Sequence, residues 1–231
     1  MTSPLIRAAT ATALALLPLA LTLPAAAAPA PRAGTAARAA ETAPLTGAVA
    51  LLPIAAEDRT GYVRSAFRHW NAGLNPTDGC TTRNEVLLDE AVEPPTVGPG
   101  CTLTGGSWFS YYDEQTVTPA ASLDIDHMVP LAEAWDSGAS VWTAARREAY
   151  ANDQGQPTSL IAVTARANRS KADQDPAEWL PPAPGARCRY LAEWTATKLR
   201  WDLAVDPRER DRLTTLATAC PTTPVTWIPA P

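Results

Sequence analysis

The apolar positions of this chain change their spacing several times, and each change marks an element. Residues 8–23 are a charge-free, largely apolar run behind Arg7, about 16 residues long and interrupted by Pro18. A spanning helix needs roughly 20 such residues. Ala25–Ala28 then supplies a small-residue cleavage pattern, so residues 1–27 read as a secretory signal peptide. Residues 28–55, rich in Ala, Pro and Thr, bury too little apolar surface to order themselves and read as a disordered lead-in. Tyr62, Ala66, Phe67 and Trp70 then fall on one stripe at helical spacing, which predicts a helix over 57–71. His69, beside that stripe, reads as a surface or core-edge histidine.

Residues 78–92, DGCTTRNEVLLDEAV, read as a capped helix, and CTLT after the PPTVGPG loop as a strand. GGSWFSYYDEQTV predicts a turn followed by an aromatic-rich strand. Residues 122–126 alternate, with Leu123 and Ile125 on one face and Asp124 and Asp126 on the other, as a half-buried strand requires. Pro130 keeps the ladder from continuing. Residues 131–135 and 141–152 read as helical, 159–164 (SLIAVT) as a buried strand, and 166–173 as a short helix following at once. Strand, insertion, strand, helix is a ββα unit. Residues 188–203 and a second helix opened by Pro207 form a hairpin, and 222–231 is an extended tail. The tryptophans Trp142, Trp179, Trp194 and Trp201 read as core.

The fold class is therefore α+β, with one domain expected over 56–221. Export makes the four cysteines disulfide candidates with three possible pairings. Cys80–Cys101 with Cys188–Cys220 is favoured, because the second pair would meet at one end of the helical hairpin. No C-x-x-C is present, and neither His69 nor His127 sits at ligand spacing from a cysteine, which weighs against zinc. A formal charge of −5 excludes stoichiometric coating of nucleic acid, yet residues 166–212 hold ten Lys/Arg against eight Asp/Glu. Local phosphate contacts at an enzyme site need no more than that.

The candidate chemistry sits in ASLDIDHMVP (121–130) and NRSK (168–171). Asp126 and Asn168 are hard oxygen donors of the kind Mg²⁺ accepts while keeping waters. His127, with an ordinary pKa near 6.5, suits a general base. Arg169 and Lys171 lie within one helical turn of Asn168. A carboxylate, an imidazole, an amide and cations fit a divalent metal and a base arranged around a phosphodiester.

DIDHMVPL followed by NRSK about forty residues on resembles the HNH (His-Me finger, ββα-metal) endonucleases. The blocks Y-V-R, G-C-T-T-R-N-E-V-L, W-D-S-G-A, A-N-D and D-P-A-E-W-L-P-P extend the resemblance over roughly residues 56–220. They are similar to small secreted bacterial HNH nucleases related to the C-terminal domain of GmrSD-type restriction enzymes. The resemblance implies a ββα-metal core with surrounding helices and a disulfide-linked C-terminal hairpin. It implies His127 as general base, Asp126 and Asn168 as metal ligands, and Lys171 and Arg169 as phosphate contacts, with Asp124, Arg83 and Glu85 as supporting residues. The middle asparagine of the motif has two candidate counterparts, Asn152 and Ser159. The expected protein is a secreted, extracellular, monomeric endonuclease using Mg²⁺, with Mn²⁺ or Ca²⁺ as alternatives. Its substrate is nucleic acid, DNA ahead of RNA, with little sequence specificity and no membrane attachment after signal cleavage. The alternative is a catalytically silent HNH-fold module that binds nucleic acid or protein.

Overall fold

Leu45, Ala48 and Val49, spaced i, i+3, i+4, bury themselves against the C-terminal helices, and that spacing opens the ordered chain. The structure, a computed structural model, describes residues 38–231. The expected signal peptide and residues 28–37 of the lead-in lie outside the described residues. The remainder of the lead-in is ordered, contrary to expectation: β1 (Glu41–Pro44) runs straight into α1 (Leu45–Leu51). The Ala- and Pro-rich composition concealed a short, well-placed apolar face. The predicted helix over 57–71 is also absent; only a 3-10 turn, Arg64–Ala66, forms there. Tyr62 packs on Trp135 with ring centroids 5.9 Å apart and Phe67 on Tyr150 at 6.0 Å. These aromatics are placed one by one from irregular backbone.

Thr81 caps α2 (Thr82–Asp89) by accepting the Asn84 N–H. The Cys80–Cys101 disulfide ties the start of α2 to a hairpin of β2 (Thr96–Gly98) and β3 (Thr102–Thr104). A second hairpin, β4 (Trp108–Ser110) and β5 (Gln115–Val117), replaces the expected continuous aromatic strand. Next comes β6 (Leu123–His127), then α3 (Leu131–Asp136) and α4 (Ala144–Ala151). The strand β7 (Leu160–Thr164) returns antiparallel to β6, pairing Asp124 with Val163, Asp126 with Ile161 and His127 with Leu160. Without a break α5 (Ala165–Lys171) follows, its first turn capped by the Thr164 hydroxyl. The hairpin of α6 (Arg187–Trp201) and α7 (Pro207–Ala217) is closed by Cys188–Cys220, as the helix-end reading requires. The expected tail instead contributes β8 (Pro224–Trp227), which pairs with β1. The whole is a mixed α/β fold of small sheets with two disulfides. No helix among the described residues is long and apolar enough to cross a membrane.

The β6–β7 pair stands between two cores. Leu123, Ile125, Leu160 and Ala162 join a cluster with Val86, Leu87 and Trp108. Ile161 and Val163 join the larger core, which holds Tyr190, Leu191 and Trp194 of α6. Side chains directly opposite each other share a face, so Asp126, opposite Ile161, is set towards the larger apolar core. A carboxylate there needs partners.

Candidate functional site

Asp126 finds two donors, and both meet the same oxygen. Lys171 Nζ lies 2.5 Å and Tyr112 Oη 2.6 Å from Asp126 Oδ2. The other oxygen, Oδ1, has no protein partner among the described residues, and it is not among the polar atoms sealed from solvent. Asp126 also lines a cavity of about 500 Å³ together with His127, Asn168, Arg169 and Arg64. Burial raises the Asp126 carboxyl above its ordinary range, with Lys171 pulling the other way.

Lys171 is not placed to hold a substrate phosphate. Its ammonium is fully buried and is met by Asp126, the His127 carbonyl at 2.9 Å and the Met128 carbonyl at 2.9 Å. An ammonium has three N–H donors, so none remains. The rings of Tyr190 and Trp194 lie 5.9 and 5.8 Å from Nζ, and burial pushes its pKa down. The i, i+3 spacing from Asn168 does place Lys171 on the same side of α5, but its long side chain reaches inward under β6.

His127 is buried, with Nε2 3.0 Å from the Ala151 carbonyl. A carbonyl only accepts, so Nε2 carries the proton and the Nδ1 lone pair is left over. Nδ1 has no protein partner among the described residues and is not sealed. Burial, the largest influence, drops the imidazole pKa to about 3 and keeps it neutral. Trp70 and Tyr150 stack on the ring at 5.4 and 6.4 Å, and His69 meets it edge-on at 6.1 Å. Trp70 holds this position from a left-handed backbone, φ 59°. Asn152, one of the two candidate counterparts of the motif's middle asparagine, ties down the chain beside Ala151. It donates to the Arg68 and Glu148 carbonyls and accepts the Asn71 N–H, fixing the turn that presents Ala151. Ser159 instead donates to Asp153.

Asn168 donates its amide N–H to Asp124 Oδ2 at 3.2 Å, leaving its own Oδ1 without a protein partner among the described residues. Arg169 Nε is 3.6 Å from the same Asp124 oxygen. Asp124 therefore holds two rim side chains in place. Arg83 and Glu85 lie apart from the cavity. Arg83 donates to the Leu123 carbonyl, tying α2 to β6, and Glu85 accepts from the Leu74 and Asn75 backbone and from Gln154. Both stabilise the scaffold.

The unpartnered oxygens of Asp126 and Asn168, hard donors on one cavity, fit a cation such as Mg²⁺ that retains several waters. All four cysteines are in disulfides, so no thiolate is left for a softer metal. Among the described residues, three side chains of the His, Cys, Asp and Glu types come together at ligand distance at Glu57, Asp175 and Asp206, and none of these lines the cavity. There, burial, Glu133 and Asp206 raise the Glu57 carboxyl to about 8. Sequence reasoning missed Tyr112, read only as part of an aromatic strand, together with Trp70 and Arg64. Arg64 does fall in the Y-V-R block, the one signal that marks it.

The family described as GmrSD restriction endonucleases, C-terminal domain, matches residues 102–216, a span that contains β6, β7 and α5. A relative from the fungus Arthroderma benhamiae, named an uncharacterized secreted protein, is 42% identical over 160 residues, 69% of this chain and 76% of the relative. This relative is fungal, whereas the resemblance in the sequence is to bacterial proteins. No solved structure matches the chain. The chain belongs to the family of the GmrSD restriction endonuclease C-terminal domain.

Proposed function

We propose that this protein is an exported, metal-dependent endonuclease of the HNH type that hydrolyses phosphodiester bonds in nucleic acid. One observation carries the reading: a neutral imidazole with a fixed tautomer and a carboxylate with one unpartnered oxygen line the same cavity, with the Asn168 amide beside them. The β6–β7–α5 order supports a ββα-metal core, and the name of the fungal relative supports export.

His127 takes a proton from water at Nδ1, and its Nε2–H bond to Ala151 strengthens as the ring becomes charged. The low pKa makes the imidazolium costly in the free protein. Negative charge gathering on the phosphate lowers that cost in the transition state. Asp126 and Asn168 would hold the divalent ion. Bound there, it supplies positive charge to the phosphate and the departing oxygen. Lys171 and Tyr112 fix the Asp126 carboxylate so that its Oδ1 keeps one direction.

The test is cleavage of plasmid DNA, single-stranded DNA and RNA by purified protein over a panel of divalent metals. His127→Ala is expected to lose about 10²- to 10⁴-fold in rate, and EDTA to stop cutting reversibly. Equal rates for His127→Ala and wild type would remove the base. One feature supports a second reading, a binding module that does not cut: Asp126 already has a protein counter-ion in Lys171. That reading predicts no saturable heat on titration with Mg²⁺ or Mn²⁺, whereas the enzyme predicts heat that Asp126→Ala abolishes.

A further inference from the structure

We propose that Arg64 is the phosphate anchor of this site, gripping the non-bridging oxygens of a substrate phosphodiester in the role that sequence spacing gives to Lys171. The inference rests on the nucleic-acid reading of the cavity and adds a residue to it.

The cations around the cavity differ in how far their charge is already used. Lys171 is sealed and saturated. Arg59 is held 2.6 Å from both Asp136 and Asp173. Arg169 leans on Asp124 at 3.6 Å. Arg64 lines the cavity, is exposed, and has no carboxylate within salt-bridge distance among the described residues. Its polar neighbour is the Tyr62 phenol. Among the described residues lining the cavity, it is thus the positive charge with no carboxylate partner.

Its backbone is fixed while its guanidinium is exposed and, among the described residues, meets no carboxylate. Arg64 opens the 3-10 turn, and its carbonyl accepts the N–H of Phe67, a fully buried ring. Tyr62 packs edge-on against Trp135, and the Ala66 carbonyl accepts from Arg147 at 3.2 Å. A planar guanidinium on a rigid support grips two oxygens of a tetrahedral anion at once, which an ammonium cannot do. That geometry suits a phosphodiester between Arg64 and the base.

The test compares wild type, Arg64→Gln, Arg64→Lys and Arg212→Gln. Arg212 is an exposed arginine of α7 that controls for the loss of any one positive charge. Circular dichroism melts confirm folding. Cleavage kinetics are read on DNA, and fluorescence anisotropy on a labelled oligonucleotide with each substitution in a His127→Ala background. Arg64→Gln is expected to lower kcat/KM about 10- to 100-fold, the scale of one charge-assisted grip. It should weaken oligonucleotide binding about tenfold and flatten the log Kd against log salt slope by somewhat under one. Arg64→Lys should recover part of this, and Arg212→Gln should match wild type. Arg64→Gln that cuts and binds like Arg212→Gln overturns the anchor. If no form cuts but binding still depends on Arg64, the anchor stands and hydrolysis alone falls. If no form cuts and binding ignores Arg64, both fall.

Discussion

Lys198 and Lys171 are both sealed from solvent, but Lys198 meets two carboxylates and Lys171 one. Lys198 meets Glu133 at 2.8 Å, Glu209 at 2.7 Å, the Ser137 hydroxyl at 2.9 Å and the Ala204 carbonyl at 2.7 Å. Those carboxylates are further satisfied by Ser137 and by Trp194 Nε1. Burial lowers the Lys198 pKa, but the two glutamates more than offset it, and the ammonium titrates above its ordinary range. At Lys171 there is one carboxylate, burial wins, and the pKa falls. The polar network around Lys198 locks α3, α6 and α7 together, and among the described residues it leaves one carboxylate oxygen, Glu133 Oε2, without a protein partner. The network around Lys171 also leaves one oxygen, Asp126 Oδ1, and Asp126 lines the cavity whereas Glu133 does not. A buried ion pair whose open oxygen faces a cavity is a place for a ligand; one set away from that cavity is scaffold.

The sharpest way to break this contrast is to remove each ammonium. Lys198→Met leaves two glutamates buried without a cation, which is expected to cost about 3–5 kcal/mol. Urea denaturation measures it, and a loss below about 1 kcal/mol would place Lys198 with ordinary surface pairs. Lys171→Met leaves a single carboxylate that can take up a proton or reach solvent through the cavity, so the expected cost is smaller, about 2–3 kcal/mol. The two variants should also diverge with metal. Millimolar Mn²⁺ should restore part of the stability lost by Lys171→Met and none of that lost by Lys198→Met. Equal responses would mean the open oxygen of Asp126 does not bind a cation.

How much of this could be read from the residues follows the same division. The Leu123–Ile125 and Asp124–Asp126 alternation located β6, SLIAVT located β7, and the adjacency of NRSK placed α5, because these are local patterns. Cys188–Cys220 was readable because hairpin ends meet wherever the hairpin goes. The direction of the Lys171 side chain was not readable: spacing from Asn168 says which residues share a side of α5, not whether a long side chain turns in or out. Tyr62, Phe67 and Trp70 have helical spacing but serve an aromatic cluster around Trp135 and His127, and that long-range packing overrode the period. In α1, composition misled where three apolar positions should have counted.

Glu90 extends the comparison to a carboxylate with no cation bonded to it. Its Oε2 accepts the Ala162 N–H at 2.9 Å, and among the described residues it forms no salt bridge. Burial raises its carboxyl from 4.5 to about 7, with the Ala162 N–H and the Arg189 charge pulling the other way. Between those two values the folded protein binds more protons here than the unfolded chain does. Stability from this group is therefore full below about 4.5, falls as pH climbs to about 7, and is level above it. Glu90→Gln keeps an oxygen to accept the Ala162 N–H and removes the titration. The variant should match wild type at pH 4 and exceed it at pH 8 by on the order of 1–2 kcal/mol, the full shift being discounted because the group is partly exposed. Parallel stability curves across that range would show that the Arg189 charge already neutralises Glu90. It would then group with the glutamates around Lys198, as a carboxylate whose charge the fold has matched.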